Sequence, residues 1–185
     1  MFKIISAFII ILISCRTQAQ SISERTVDSS GNILIFTTID TIGRDARYLA
    51  VDGFIYNVDS VNNYVFDFYF NSPHNFLLTA KDKIYIRYSD GAVYNVSSFS
   101  EGSFFTQGQD ANISIEVSKN ALNKMLQYSV KSISIVTDKF RYTIPVNSAD
   151  KKVFENLAHF MLNVNVYDEN VIKQSELTKM KSSDN

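Results

Sequence analysis

The chain has 185 residues, with 18 basic against 19 acidic side chains, a formal charge of −1 and a single cysteine. A near-neutral balance with dispersed charges offers no basic field to capture nucleic acid or an anionic bilayer. One cysteine excludes an intramolecular disulfide and a Cys-based zinc centre, so packing must hold the body together.

Lys3 is the only charge ahead of the apolar run from Ile4 to Ile13. That run falls well short of the ~20 residues that span a bilayer. A short basic start, a short apolar middle and a small polar end predict a secretory signal over residues 1–19. Two cleavages compete for its end. Leu12-Ile13-Ser14-Cys15 resembles a bacterial lipobox: two aliphatics, a small residue, then the cysteine. Cleavage before Cys15 would leave a thiol to carry diacylglycerol, with each buried methylene adding ~0.8 kcal/mol to the anchor. Thr17 and Ala19 at the −3 and −1 positions instead suit release after Ala19, with Gln20 leading. Lipidation at Cys15 is the favoured expectation, and it would be the chain's one attachment to a membrane. Without residues 1–19 the chain keeps 166 residues and loses Lys3 and Arg16, which leaves 16 bases, 19 acids and a charge of −3. That length fits one β-rich globular domain over 20–167. Residues 168–185 read as a polar tail.

Most of the domain reads as short strands punctuated by turns. Ser29-Ser30-Gly31-Asn32 separates Ile22–Val27 from Ile33–Ile39. Asp52-Gly53, the strongest short hairpin signal, stands between Tyr48–Val51 and Phe54–Val58. Tyr64–Phe70 and Phe76–Thr79 follow. Ser89-Asp90-Gly91 then divides Ile84–Tyr88 from Ala92–Val96, and the spacing predicts an antiparallel meander. Tyr64, Phe66, Phe68 and Phe70 alternate onto one face of their strand, and its other face is apolar except for Asp67. Such a segment at a sheet edge would invite aggregation, so a central strand covered on its aromatic side is expected.

Past Asn112 the periodicity changes. Ile113–Val117 is a strand, and Ser118 caps a helix to about Gln127 with Ala121, Leu122, Met125 and Leu126 on one face. Val130–Thr137 and Phe140–Val146 are strands joined at Asp138-Lys139. Ser148 or Asp150 opens a second helix to about Val164, striped by Val153, Leu157, Met161 and Val164 and widened by Phe154 and Phe160. The sum is about nine strands and two helices in the C-terminal third: an α+β fold built on a mainly antiparallel sheet or sandwich.

Chemistry is sparse. His159 lies four residues after Glu155 on the second helix, away from its apolar stripe, where an exposed i,i+4 contact is the plain expectation. His74 follows Ser72-Pro73 in a turn, with Asp67 and Asp82 as the acids that would have to orient it. Asp59–Asp67 is dense in acids and amides but lacks the spacing of a calcium loop. No nucleophile elbow, zinc-binding helix, phosphate loop or dinucleotide fingerprint is present, so neither catalysis nor a cofactor or metal is expected. Tyr56, Tyr85, Tyr88 and Tyr94, with Asn57, Asn62, Asn63 and Asn95 nearby in sequence, are the residues that would form a binding surface for a protein, peptide or glycan. The reading is an exported, non-catalytic envelope or surface module. A small-ligand carrier with an aromatic-lined cavity and a hydrolase built from scattered groups are the alternatives.

Overall fold

The computed structural model describes residues 20–44, 47–98, 102–168 and 170–171. The expected signal segment, Cys15 and most of the expected tail lie outside them. The strands are β1 (Ile22–Val27), β2 (Ile33–Thr37), β3 (Asp40–Arg44), β4 (Arg47–Val58), β5 (Val61–Asn71), β6 (Phe76–Leu77), β7 (Lys83–Tyr88) and β8 (Val93–Ser97). After them come β9 (Phe104–Phe105), β10 (Asp110–Glu116), helix α1 (Lys119–Gln127), β11 (Val130–Val136), β12 (Arg141–Pro145) and helix α2 (Lys151–Asn163). The fold is α+β and mostly antiparallel, with both helices in the C-terminal third. No described helix is long and apolar enough to cross a membrane.

Six strands form the larger sheet, in the order β1-β2-β4-β5-β10 with β3 also against β4. A second sheet runs β12-β11-β7-β8, and β6 pairs with β9. Alternation assigns each residue its side. Ile33, Ile35, Ile42, Leu49, Val51, Ile55, Ile113 and Ile115 turn to the inner side of the larger sheet, and Ile84, Ile86, Ile133, Ile135 and Ile144 come from the smaller one. All belong to a single apolar core, so the two sheets bury one face each against common contents.

The strand Tyr64–Phe70 is central, flanked by β4 and β10, as its composition predicts. Phe66, Phe68 and Phe70 are fully buried, which stabilises the fold by about 1.5–3 kcal/mol for each ring. Phe66 lies edge-on to Phe68 at 6.2 Å and tilted against Phe154 of α2 at 6.3 Å, and Phe70 stacks on Tyr142 at 5.3 Å. The aromatic side of β5 is therefore filled by protein.

Asp52-Gly53 does not turn the chain. Both sit in the interior of β4, whose twelve residues run unbroken. The reversal comes at Asp59-Ser60, where φ is +49° and +66°. Gly53 has a packing reason. A Cβ there would fall 2.3 Å from Cε of Met161, so glycine lets α2 close onto the sheet. The neighbouring strand accommodates the site. β2 and β3 lie along the same edge of β4 and are offset by one residue at Thr38–Ile39, a bulge opposite Asp52-Gly53. The Thr37 hydroxyl accepts the Gly53 amide across it at 2.8 Å. β3 itself is an addition to the strands legible in the sequence.

Helix α1 starts as predicted, with the Ser118 hydroxyl accepting the Ala121 amide at 3.2 Å. Ala121, Leu122 and Met125 are buried, but Leu126 is 38% exposed and leaves the predicted face. Helix α2 starts after Asp150. Its buried line is Phe154, Leu157, Ala158 and Met161, displaced from the predicted stripe toward Ala158, with Val153, Phe160 and Val164 half-buried. The Asp150 carboxylate does not cap its own helix; it accepts the Gly43 amide at 3.1 Å and fastens α2 to β3.

Candidate functional site

The outer side of the larger sheet carries the molecule's most unusual chemistry. Directly opposed residues of an antiparallel ladder face the same way, so the register lays this side out in rows about 7 Å apart. One row holds Leu34, Tyr56 and Asn63. The next holds Phe36, Phe54, Val65 and Glu116. Then come Asp52, Asp67 and Ser114, and last Ala50, Tyr69 and Asn112.

The first two rows form a shallow groove of about 380 Å³ lined by Leu34, Phe54, Tyr56, Asn63, Val65 and Glu116. Phe36 extends its apolar floor, with its ring 5.4 Å from Phe54. The Tyr56 hydroxyl accepts from the Asn32 side chain at 3.2 Å, which steadies that wall. Antiparallel sheets with one solvated side usually place polar residues there. Here the outer side holds Leu34, Phe36, Phe54 and Tyr56, all half-buried, and Val65, which is buried.

In the third row Asp52 and Asp67 stand directly opposite each other on β4 and β5, with exposures of only 7% and 8%. Like charges in that arrangement repel. Among the described residues neither carboxylate joins an ion pair, and Oδ1 of each is buried without a hydrogen-bond partner. Tyr69 donates to Asp52 and Ser114 donates to Asp67, which relieves them only in part. Burial, and then the charge of Asp67, push Asp52 up to about 7. Burial raises Asp67 as well. The Tyr69 hydroxyl is pushed up to about 12 by burial and by the two acids beside it. Asp52 therefore keeps its proton into the neutral range, as a buried carboxyl facing a second one does.

The four tyrosines expected to form a binding surface are divided among three places. Tyr56 lines the groove. Tyr85 is on the outer side of the smaller sheet, beside a depression of about 570 Å³ lined by Thr79–Lys83 and Val136–Asp138. Tyr88 is 2% exposed and belongs to the core, with Lys124 over its ring at 5.5 Å. Tyr94 is half-buried near it, its hydroxyl donating to the Glu116 carbonyl at 3.2 Å. The amides serve structure: Asn57 donates to Asn62 at 2.6 Å and accepts from Tyr167 at 2.9 Å, and Asn63 donates to the Tyr56 carbonyl. Asn95 is exposed on β8.

His74 is exposed, its ring 5.9 Å from that of Phe140, in a hollow lined by Asn71, Pro73 and Arg141–Thr143. Neither Asp67 nor Asp82 lines that hollow; Asp82 instead accepts the Thr79 amide in a turn. Glu155 and His159 are both exposed on α2. Asp59–Asp67 is the hairpin tip and the start of β5, not a cation loop. Among the described residues no three His, Cys, Asp or Glu side chains gather as metal ligands do.

Asp52 is the member of the site that sequence reasoning missed. The Asp-Gly pair masked it, because that dipeptide reads as a turn and nothing local marks it as the interior of a twelve-residue strand. No family model, curated protein or solved structure matches the chain.

Proposed function

We propose that the chain is an exported, non-catalytic binding module of the cell envelope or surface. Its groove over β2, β4, β5 and β10 captures a peptide segment of a partner protein. The observation that carries this reading is the groove itself: an apolar depression on the outer side of a sheet, where a sheet with no partner would present polar side chains. Its openness suits a side chain presented by a larger partner, since a free small molecule needs burial on most sides. The packed rings of β5 weigh against a carrier with an aromatic-lined cavity. Export rests on the leader, with lipidation at Cys15 or release after Ala19.

A hydrolase has one observation in its favour. Paired carboxyls with one raised to about 7 are what acid–base chemistry uses. Their low exposure leaves little room for a substrate to reach both carboxyls at once, which favours binding.

The test is a pull-down from envelope extract with the mature protein, Tyr56→Ala, and Tyr85→Ala on the other sheet. Wild type and Tyr85→Ala should enrich the same partner over a tag-only control. Tyr56→Ala should lose it while keeping its circular dichroism. Equal capture by all three would sink the groove as the site. Turnover of a chromogenic ester or glycoside that disappears in Asp52→Asn would replace binding with catalysis.

A further inference from the structure

The occupant of the groove can be specified further, on the reading that the groove binds a peptide. We propose that the captured segment is extended and carries a lysine or arginine two residues from the apolar side chain that fills the groove, and that this cation seats against the Asp52–Asp67 pair. Three features of the sheet specify this chemistry.

The first is spacing. The groove occupies the rows of Tyr56 and Phe54, and the acid pair is the next row. Residues i and i+2 of an extended peptide are also about 7 Å apart and on the same side. An apolar side chain over Phe54 and Val65 therefore delivers its i+2 neighbour to the pair.

The second is charge. Glu116 lines the groove, and Asp52 and Asp67 follow it in the next row. Among the described residues no lysine or arginine lines the groove. Complementarity calls for a cation.

The third is the unused capacity of the pair. Two carboxyls more than nine-tenths buried keep one oxygen each without a partner. An ammonium brings three donors and a guanidinium five. These two oxygens are the acceptors such a donor needs.

Seating a cation changes the pair's protonation. Before binding, Asp52 holds a proton up to about 7; after binding, both carboxylates are ionised around the cation, and the displaced proton passes to solvent. The titratable groups that face the pair are Tyr69 on β5 and, one row away, Glu116 on β10 and Glu24 on β1. β2 contributes Phe36, which carries no charge, and Ser114 and Asn112 on β10 are neutral.

The probes are two synthetic peptides, acetyl-Phe-Ser-Lys-amide and acetyl-Phe-Ser-Glu-amide, with phenethylamine as the free amine. Each is titrated by NMR into the mature protein, into Asp67→Asn and into Tyr56→Ala. Wild type should prefer the lysine peptide at least tenfold, and its binding should release protons, seen as a heat that depends on the ionisation enthalpy of the buffer. Asp67→Asn should reduce the preference to about twofold while keeping the phenylalanine contact, and Tyr56→Ala should weaken both peptides alike. Equal binding of the two peptides by wild type would overturn the cation while leaving the groove intact. Absence of saturable shifts for either peptide at about 10 mM would overturn both. Phenethylamine binding as tightly as the lysine peptide would reassign the site to a free amine and overturn the peptide.

Discussion

Asp52 and Gly53 are adjacent in β4 and serve opposite sides of it. Gly53 faces inward and yields space to Met161, while Asp52 faces outward against Asp67. A dipeptide that in isolation is the best hairpin former is thus fixed in a strand by two tertiary demands that no local pattern encodes. This is why half of the acid pair was legible and half was not. Asp67 stands out as the polar exception in an apolar strand, whereas Asp52 is camouflaged as a turn. The pair also has a consequence for stability. Asp52 loses its proton near 7 in the folded chain, against 3.8 for the ordinary side chain. Between those values the native state binds more protons than the unfolded state, so stability falls as pH rises, by up to about 1.4 kcal/mol per unit from this group. The contribution is complete below 3.8 and is lost as pH passes about 7. Asp52→Asn keeps a hydrogen-bonding side chain and removes the charge. Its melting temperature relative to wild type should therefore climb from pH 5 to about pH 7, level off beyond it, and exceed wild type at pH 8. A difference that is constant across that interval would mean that the fold does not raise Asp52.

Among elements, those with a local cause were the most legible. Helix α1 begins where Ser118 provides a cap and ends where its apolar spacing ends. The aromatic strand β5 is central because its composition would be hazardous anywhere else. Boundaries that depend on partners were not legible. β3 is a short, polar, glycine-containing segment that becomes a strand by lying along β4 beyond a bulge. The stripe of α2 is displaced: Phe154, Leu157, Ala158 and Met161 are buried, while Val153 and Val164 pack at the margin of the core. The β4–β5 reversal was missed because Asp59-Ser60 is a poor sequence for it. Val58 pairs with Val61, so the loop has two residues, and both take positive φ without being glycine. That is the geometry for which Asn-Gly is preferred. The double substitution Asp59→Asn, Ser60→Gly should relieve about 1 kcal/mol of backbone strain. In a domain of this size that raises the melting temperature by about 2–4 °C. Unchanged or lower stability in a thermal melt would show that Asp59 or Ser60 makes a contact worth more than the strain.

At the scale of the molecule, the groove, the acid pair and the proposed anchor constrain one another. Gln20 and Ser21, which directly follow the expected leader, are tied to Thr38 by their side chains. If the chain is cleaved before Cys15, only residues 15–19 separate the acyl chains from the sheet. Five residues reach at most about 17 Å. A lipid-anchored body would then lie against its membrane, with the groove presented to partners at the bilayer surface. Release after Ala19 would leave the same groove free in solution, and no structural feature of the body would have to change. Mass spectrometry of the purified mature protein separates the two. The expected N-terminus is Cys15 bearing a diacylglycerol and an N-acyl chain, in the membrane fraction, and Cys15→Ala should move the protein to the soluble fraction. A wild-type chain that starts at unmodified Gln20 would remove the anchor and leave the groove to capture its segment without the confinement of a membrane. A chain that retains Met1 would remove export itself. The proposed partner would then have to be sought in the cytosol, because the groove and its acid pair do not depend on the leader.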